Sequence, residues 1–385
     1  MNRRSFLKSA GIAAGATAAQ TLVGAAPGVS IIVDPKDRIA SAPPPRWAVG
    51  ELRAALESQG VAAQVYPRLD AAPAADRQIV VAGGGSPAAR QILKGANASM
   101  PSSPEALCLV PGNVGGRSVL LAGGSDVRGL VYAVLELADR VRYGGALAAA
   151  LEVGRPVVEK PANAIRSCAR CFVSDVEDKS WFYDRGLWKD YLTTLAANRF
   201  SRFNLTFGIG YNSAQRVPDS YFYFAYPFLL AVPGYDVRAA GLPDAERDRN
   251  LETLRFIGEE TVARGLQFSL ALWSNAYEWP DPTNYRITGL TPETHAPYCR
   301  DALLALLKAC PTITALSFRV HGESGVRDGS YEFWQTLFEA IPKAGRRIDV
   351  DLHAKATDQR HIDIGLKTGM FVSMAPKFWA EHLGM

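Results

Sequence analysis

Ala315-Leu-Ser-Phe-Arg-Val-His-Gly-Glu-Ser-Gly325 is the stretch whose alternation decides the fold. Successive side chains of a strand point to opposite faces, so Ser317, Arg319, His321 and Glu323 share one side while Leu316, Phe318 and Val320 share the other. Gly322 and Gly325 let the chain turn sharply around the carboxylate. A strand buried on both faces reads as a continuous apolar run, and this one does not. The polar set has two readings: a general acid or base held beside an arginine and a histidine, or a satisfied ion pair at a strand end.

The same alternation recurs on both sides of this stretch. Asn204, Thr206 and Gly208 oppose Phe203, Leu205 and Phe207; Gln267, Ser269 and Trp273 oppose Leu266, Phe268, Leu270 and Leu272. Further on, Asp349, Asp351, His353 and Lys355 oppose Ile348, Val350 and Leu352, and in the first such segment Arg166, Cys168 and Arg170 share a face. Strand-like segments at 164–172, 202–209, 266–273, 314–321, 348–355 and 371–377 alternate with helical ones at 187–198, 244–264, 295–309 and 330–344. This order predicts an α/β architecture with a (β/α) TIM-type barrel over 163–385, its polar face in the lumen and its site at the C-terminal strand ends. Six strands are legible where a closed barrel has eight, so the spacing predicts an incomplete barrel, shortened at the C-terminus relative to longer relatives.

Upstream, residues 29–152 read as a small α/β domain. Strands are expected at 29–33, 78–82, 106–110 and 118–122, with helices at 46–59 and 129–141. Gly83-Gly84-Gly85 lacks the dinucleotide spacing and any Walker lysine, so it reads as a tight turn from strand to helix. A Pro-containing linker at 153–162 joins the two regions.

A chain of 385 residues with 48% hydrophobic and 21% charged residues is an ordinary globular composition. A net charge of +4, with no Lys/Arg run beyond the N-terminus, argues against a nucleic-acid partner. Arg3-Arg4-Ser-Phe-Leu-Lys8, followed by an uncharged Ala/Gly-rich stretch over 10–26, resembles a twin-arginine export signal over 1–28. That signal implies the twin-arginine export machinery as a partner and a periplasmic or secreted mature protein, with no stable membrane insertion. The five cysteines do not make a disulfide framework, and Cys168 and Cys171, three apart on a strand, face opposite sides.

Gly124-x-Asp126-x-Arg128-Gly129-x-x-Tyr132-Ala133 resembles the entry to the last helix of the small domain that precedes the barrel in α-glucuronidases and bacterial hexosaminidases. Physically, Ser125 or Asp126 caps the helix, Arg128 pairs with a nearby acid, and Leu130, Val134, Leu137 and Val141 form its buried stripe. Residues 198–205 resemble the second-strand region of α-glucuronidase barrels, and Phe318-Arg-Val-His-Gly-Glu323-Ser-Gly resembles the end of their fourth strand. The resemblance implies an exported glycoside hydrolase acting on an oligo- or polysaccharide, with Glu323 as general acid and carbohydrate as the bound partner. It implies no cofactor.

The family's base carboxylates come from later strands, and the inward-pattern candidate here is Asp351, with structural pairing to Lys355 or His353 as its alternative role. Trp273, with Tyr277 and Trp279 after it, offers flat faces to sugar rings, and the aromatic run 221–226 is expected to wall the same cleft. Arg170, Arg319 and Lys355 offer positive groups to an anionic substituent such as a uronic-acid carboxylate, with Asn204, His321 and His353 completing the polar lining. Glu323 donates a proton if a partly apolar cleft raises its pKa. Two other readings stand beside this one: an inactive or truncated carbohydrate-binding protein of the same fold, and a metal site made of His321, Glu323, Asp351 and His353, which lack a recognisable ligand spacing.

Overall fold

The computed structural model describes residues 28–145, 147–208, 220–278 and 284–376. The proposed export signal, Trp279 and the last nine residues of the chain lie outside them. Two six-stranded sheets organise what is described.

The first sheet contains β1 (Val29–Val33), β2 (Ala63–Tyr66), β3 (Arg77–Gly83), β4 (Leu107–Val114), β5 (Arg117–Gly124) and β6 (Val157–Glu159), in the order β2-β1-β3-β5-β4-β6. The strands from β2 to β5 in that order pair parallel, and β4 pairs antiparallel with both β5 and β6. The stretch expected to be a linker therefore supplies the edge strand β6. Its three residues carry too little alternation to be legible beforehand.

Helix α1 (Pro43–Ser58) begins three residues earlier than the periodicity indicates, because prolines fit the first helical turn, where their missing N–H is not needed. Helix α2 (Pro87–Gly95) follows the Gly83–Gly85 turn, capped by Ser86. Helix α3 (Val127–Tyr143) carries the predicted stripe, with Leu130, Val134, Leu137 and Val141 all buried.

Close approach explains the glycines around α3. A Cβ on Gly124 would lie 2.1 Å from the Leu130 nitrogen, and one on Gly129 would lie 2.2 Å from the Ala106 carbonyl oxygen. Asp126 caps the helix by accepting from the Gly129 N–H at 2.8 Å, and its other oxygen accepts from the Glu105 N–H at 2.9 Å. Arg128 then reaches out of the domain, donating to the Gly265 carbonyl at 2.8 Å and pairing with Glu105. Glu105 also pairs with Arg166, and the Tyr132 hydroxyl donates to the Phe200 carbonyl at 2.9 Å, so the two sheets are joined through a mostly buried polar cluster.

The second sheet contains β7 (Ser167–Cys171), β8 (Arg202–Phe207), β9 (Gln267–Leu272), β10 (Ile313–Phe318), β11 (Asp349–His353) and β12 (Val372–Ala375). They lie side by side in chain order, all parallel. Between them run α4 (Asp175–Phe182), α5 (Arg185–Ala197), α6 (Asp244–Ala263), α7 (Pro292–Ala309), α8 (Tyr331–Phe338) and α9 (Gln359–Leu366). Repeated β/α crossovers in sequential order are the construction of a TIM-type barrel, here incomplete among the described residues.

The core lies between sheet and helices. Phe203, Leu205, Phe268, Leu270, Leu316, Phe318 and Leu352 pack against Trp188, Leu254, Leu303 and Trp334, all buried. The expected helix over 330–344 breaks at Glu339 into α8 and a short turn at Ala340–Lys343.

The aromatic run is a correction. Tyr221, Phe222, Phe224 and Tyr226 are buried in the core, and Phe222 stacks on Phe207 with centroids 4.2 Å apart, so these four fill the space between strand and helices rather than walling a cleft, while Tyr223 turns toward Ser274 and Arg319. Four large rings packed on one another bury apolar area that an open polar cleft would leave in water.

Candidate active site at the C-terminal strand ends

Parallel register sorts the polar face into layers. Arg202 and Gln267 are aligned at the bottom, and Asp349 reaches them from β11. Arg202 donates to Asp349 at 3.2 Å and to Gln267 at 2.9 Å, while Gln267 donates to Asp349 at 3.0 Å and Arg347 adds a bond to the other Asp349 oxygen at 3.1 Å. Burial pushes the Arg202 guanidinium down, and Asp349 and Asp351 oppose that shift. This layer meets its own hydrogen-bonding needs and forms a floor.

Above it, Thr206, Ala271, Ser317, Asp351 and Ser373 are aligned across β8 to β12. Asp351 accepts from the Ser373 hydroxyl at 2.7 Å. Burial pushes its carboxyl up, offset in part by the hydroxyl bond from Ser373, the charge of Arg202 and a bond from Ser317. Lys355 is not its partner, contrary to one of the expected roles. Ser373 is a site residue that the sequence reading misses although its signal is present, since it alternates with Val372 and Met374. One layer lower, Asn204 faces the lumen with its side-chain oxygen buried and without a hydrogen-bond partner among the described residues.

The top layer is aromatic and cationic. The Trp273 indole N–H donates to Ser317 at 3.3 Å, the Arg319 guanidinium lies 4.5 Å above the Trp273 ring, and the His353 ring lies 5.5 Å from Trp273 and 5.4 Å from His321. Arg319 is therefore stacked and largely desolvated, which strengthens a cation–π contact.

Glu323 reaches this layer by a different route from the one the alternation implied. Strand β10 ends at Phe318, and Gly322–Ser324 form a 3₁₀ turn whose N-cap is His321, accepting from the Glu323 N–H through Nδ1 at 3.3 Å. The turn is fastened from the neighbouring loop: the Asn275 N–H and the Ser274 hydroxyl donate to the Ser324 carbonyl at 2.9 and 3.3 Å. Asn275 is held in turn by His295, whose Nε2 lies 2.6 Å from the Asn275 carbonyl, with the His295 ring packed against Tyr277 at 4.8 Å.

Lys355 pairs with one oxygen of Glu323, while Arg319 and His321 Nε2 lie 3.6 and 3.9 Å from the other. Partial burial pushes the Glu323 carboxyl up, but the Lys355 bond and the charges of Arg319, His321 and Lys355 outweigh it and hold the group below the usual carboxylate range. The raised pKa expected of a proton donor is not found, because the cations that were to receive a substrate's anionic group face Glu323 instead. Burial lowers His321 to about 4, against the opposing pull of Glu323, so the imidazole is neutral near pH 7.

Arg170 is a further correction. Register aligns it with Leu205 rather than with Asn204 or Thr206, so it points to the helix layer. Its guanidinium lies 4.2 Å from the Trp181 ring and 5.5 Å from Tyr191, and Cys168 on the same face contacts the Tyr191 hydroxyl at 3.4 Å. Cys171 faces the other way, and neither cysteine is in a disulfide. Among the described residues no group of three or more His, Cys, Asp or Glu side chains is disposed to hold a metal ion, so His321, Glu323, Asp351 and His353 do not form a ligand set. No described helix is long and apolar enough to cross a membrane.

An α/β domain followed by an incomplete TIM-type barrel, with its polar face gathered at the strand ends, is the class that fold and site define. Solved structures of the same fold exist among glycoside hydrolases. One is a GH138 enzyme targeting pectin rhamnogalacturonan II, with TM-score 0.63 and 16% identity over 90% of this chain and 48% of that one. Another is CpGH84D, with TM-score 0.50 and 9% identity over 91% of this chain and 52% of that one. The chain thus spans about half the length of these structures. No family model matches the chain, and no curated protein matches it.

Proposed function

We propose that the protein is a glycoside hydrolase, acting on an oligo- or polysaccharide through the carboxyls of Glu323 and Asp351. The observation that carries this reading is the presence of two carboxyls at the C-terminal end of the polar sheet face, Asp351 on the strand bonded to Ser373 and Glu323 on the turn beyond β10 paired with Lys355 and with the Arg319 that stacks on Trp273. The partly exposed ring of Trp273 offers a sugar-stacking surface, and an anionic residue such as a uronic acid would share Arg319 and Lys355 with Glu323. The fold shared with an enzyme that targets pectin rhamnogalacturonan II supports a pectic substrate. The α-glucuronidase-like character and export by a twin-arginine signal belong to the same proposal, resting on the sequence patterns alone.

A second reading is favoured by Lys355. A carboxylate already engaged by a lysine suits a binding protein that holds sugar without cleaving it. Turnover and binding assays with a panel of pectic and uronic oligosaccharides separate the two. Released reducing ends support hydrolysis, and saturable binding without any product supports the binding protein.

A further inference from the structure

We propose that Asp351, and not Glu323, is the group that carries and delivers a proton in this site, with Glu323 as the standing carboxylate. The catalytic part of the inference rests on the hydrolase reading, whereas the order in which the two groups ionise does not.

The surroundings of the two carboxyls differ in kind. Glu323 meets cations or a donor ring: Lys355 from beyond β11, and Arg319 and His321 from beyond β10. An ionised carboxylate is stabilised by each of them, and its protonation would remove the negative charge that Lys355 and Arg319 share. His321 reinforces this arrangement. Its Nδ1 accepts from the Glu323 backbone, so in the neutral ring the proton resides on Nε2, on the side facing the carboxylate.

Asp351 meets hydroxyls. Ser373 from β12 donates to it, and Ser317 from β10 approaches from the other side. Ser317 accepts from the Trp273 indole N–H, which directs the serine's own proton toward Asp351. The charged groups nearby are Arg202, which is bonded to Asp349 and Gln267 in the floor layer, and Asp349 and His353 on the same face of β11. The charge of Arg202 favours the Asp351 anion and offsets part of the effect of burial. Hydroxyls accommodate a neutral carboxylic acid as readily as an anion, and Asp351 is partly exposed. The opposite pKa tendencies, up for Asp351 by burial and down for Glu323 by its ion pairs, agree with this geometry.

In hydrolysis the bond from the anomeric carbon to the leaving oxygen breaks with its electron pair on the oxygen, which takes the Asp351 proton. Water adds to the anomeric carbon and gives its proton to the Glu323 carboxylate. The net change is addition of one water, and the carboxyls regain their starting states by proton exchange with solvent. A protonated carboxyl paired with an ionised one is the general requirement of such a mechanism. Glu323→Gln and Asp351→Asn should therefore behave differently toward leaving groups.

Two measurements on the whole protein test the inference. In the first, carbon-13 carboxyl shifts of selectively labelled Asp and Glu are followed against pH, with Asp351→Asn and Glu323→Gln used for assignment. Asp351 should titrate above the ordinary aspartate range and Glu323 below the ordinary glutamate range; the reverse order overturns the proposal whether or not any sugar is cleaved. In the second, phenyl and 2,4-dinitrophenyl uronides are compared. Asp351→Asn should lose at least about a hundredfold on the phenyl substrate and less than tenfold on the dinitrophenyl one, since an activated leaving group needs no proton. Glu323→Gln should lose activity on both. If Glu323→Gln instead shows the leaving-group rescue, Glu323 is the acid and the inference is wrong. If the wild type cleaves neither uronide nor any panel sugar, the hydrolase reading fails, and the titration alone decides the ionisation order.

Discussion

Gly325 lies directly on Ala276. A Cβ built on Gly325 would be 2.0 Å from the Ala276 methyl, and the glycine has φ +75°. The turn that carries Glu323 is thus pressed against the loop after β9 at a point where no side chain fits, in a backbone conformation that L residues rarely adopt. Gly325→Ala should move that turn, costing roughly 1–3 kcal/mol of stability. Urea unfolding measures the loss, and activity should fall more than stability does, because Glu323 is two residues away.

The floor of the polar face should be structural. Arg202 is buried against Asp349, and deletion of the acid leaves the guanidinium without its ion pair and with only the charge of Asp351 to offset its burial. Asp349→Ala should destabilise by roughly 3–5 kcal/mol, the usual consequence of breaking one side of a buried pair. Equilibrium unfolding provides the value. A loss under about 1 kcal/mol would indicate that Gln267 or water suffices to relieve Arg202.

At the junction of the two sheets, Gly129→Ala should be severe. The added methyl would meet the Ala106 carbonyl oxygen at 2.2 Å, a backbone contact that no rotamer change relieves. A cost above about 2 kcal/mol is expected, with Arg128 displaced from Glu105 and Gly265. Limited proteolysis should cut the variant between the two sheets before it cuts the wild type.

Acidification should release Glu323 later than an ordinary glutamate. Its carboxyl is held below the usual range in the folded protein, so the stabilisation it provides is present above the unfolded-state pKa, about 4.3 for glutamate, and is lost as pH falls through the lower folded value. Lys355→Met removes the strongest bond holding it down. The acid limb of binding or activity should then shift to higher pH, which a pH profile of wild type and variant would show. An unchanged limb would mean that Arg319 and His321 alone set the ionisation of Glu323.

Much of this arrangement was legible in the alternation of polar and apolar residues. The polar faces of β8 to β11 followed from it, because a period of two has one solution once a face is apolar, and the parallel strands followed from the repeated strand and helix units. Where the pattern misled, a local contact was responsible. Arg170 alternates with small and thiol residues on an edge strand, so its sequence does not say which face is outward, and its stacking on Trp181 decides. The aromatic run 221–226 is equally suited to a sugar cleft and to a core; its burial against Phe207 is a tertiary fact. The depressed pKa of Glu323 depends on Lys355, which lies 32 residues away and meets it only through the adjacency of β10 and β11.

The central claim is that this polar face cleaves glycosidic bonds, and the most direct measurement is the release of reducing ends from pectic and uronic oligosaccharides by wild type and by Glu323→Gln at matched folding. The account predicts measurable release by the wild type and a fall of at least about a hundredfold in kcat/KM for the variant, the scale expected when a positioned acid–base group is removed. Equal release by the two proteins, or sugar binding with no release by either, would contradict it.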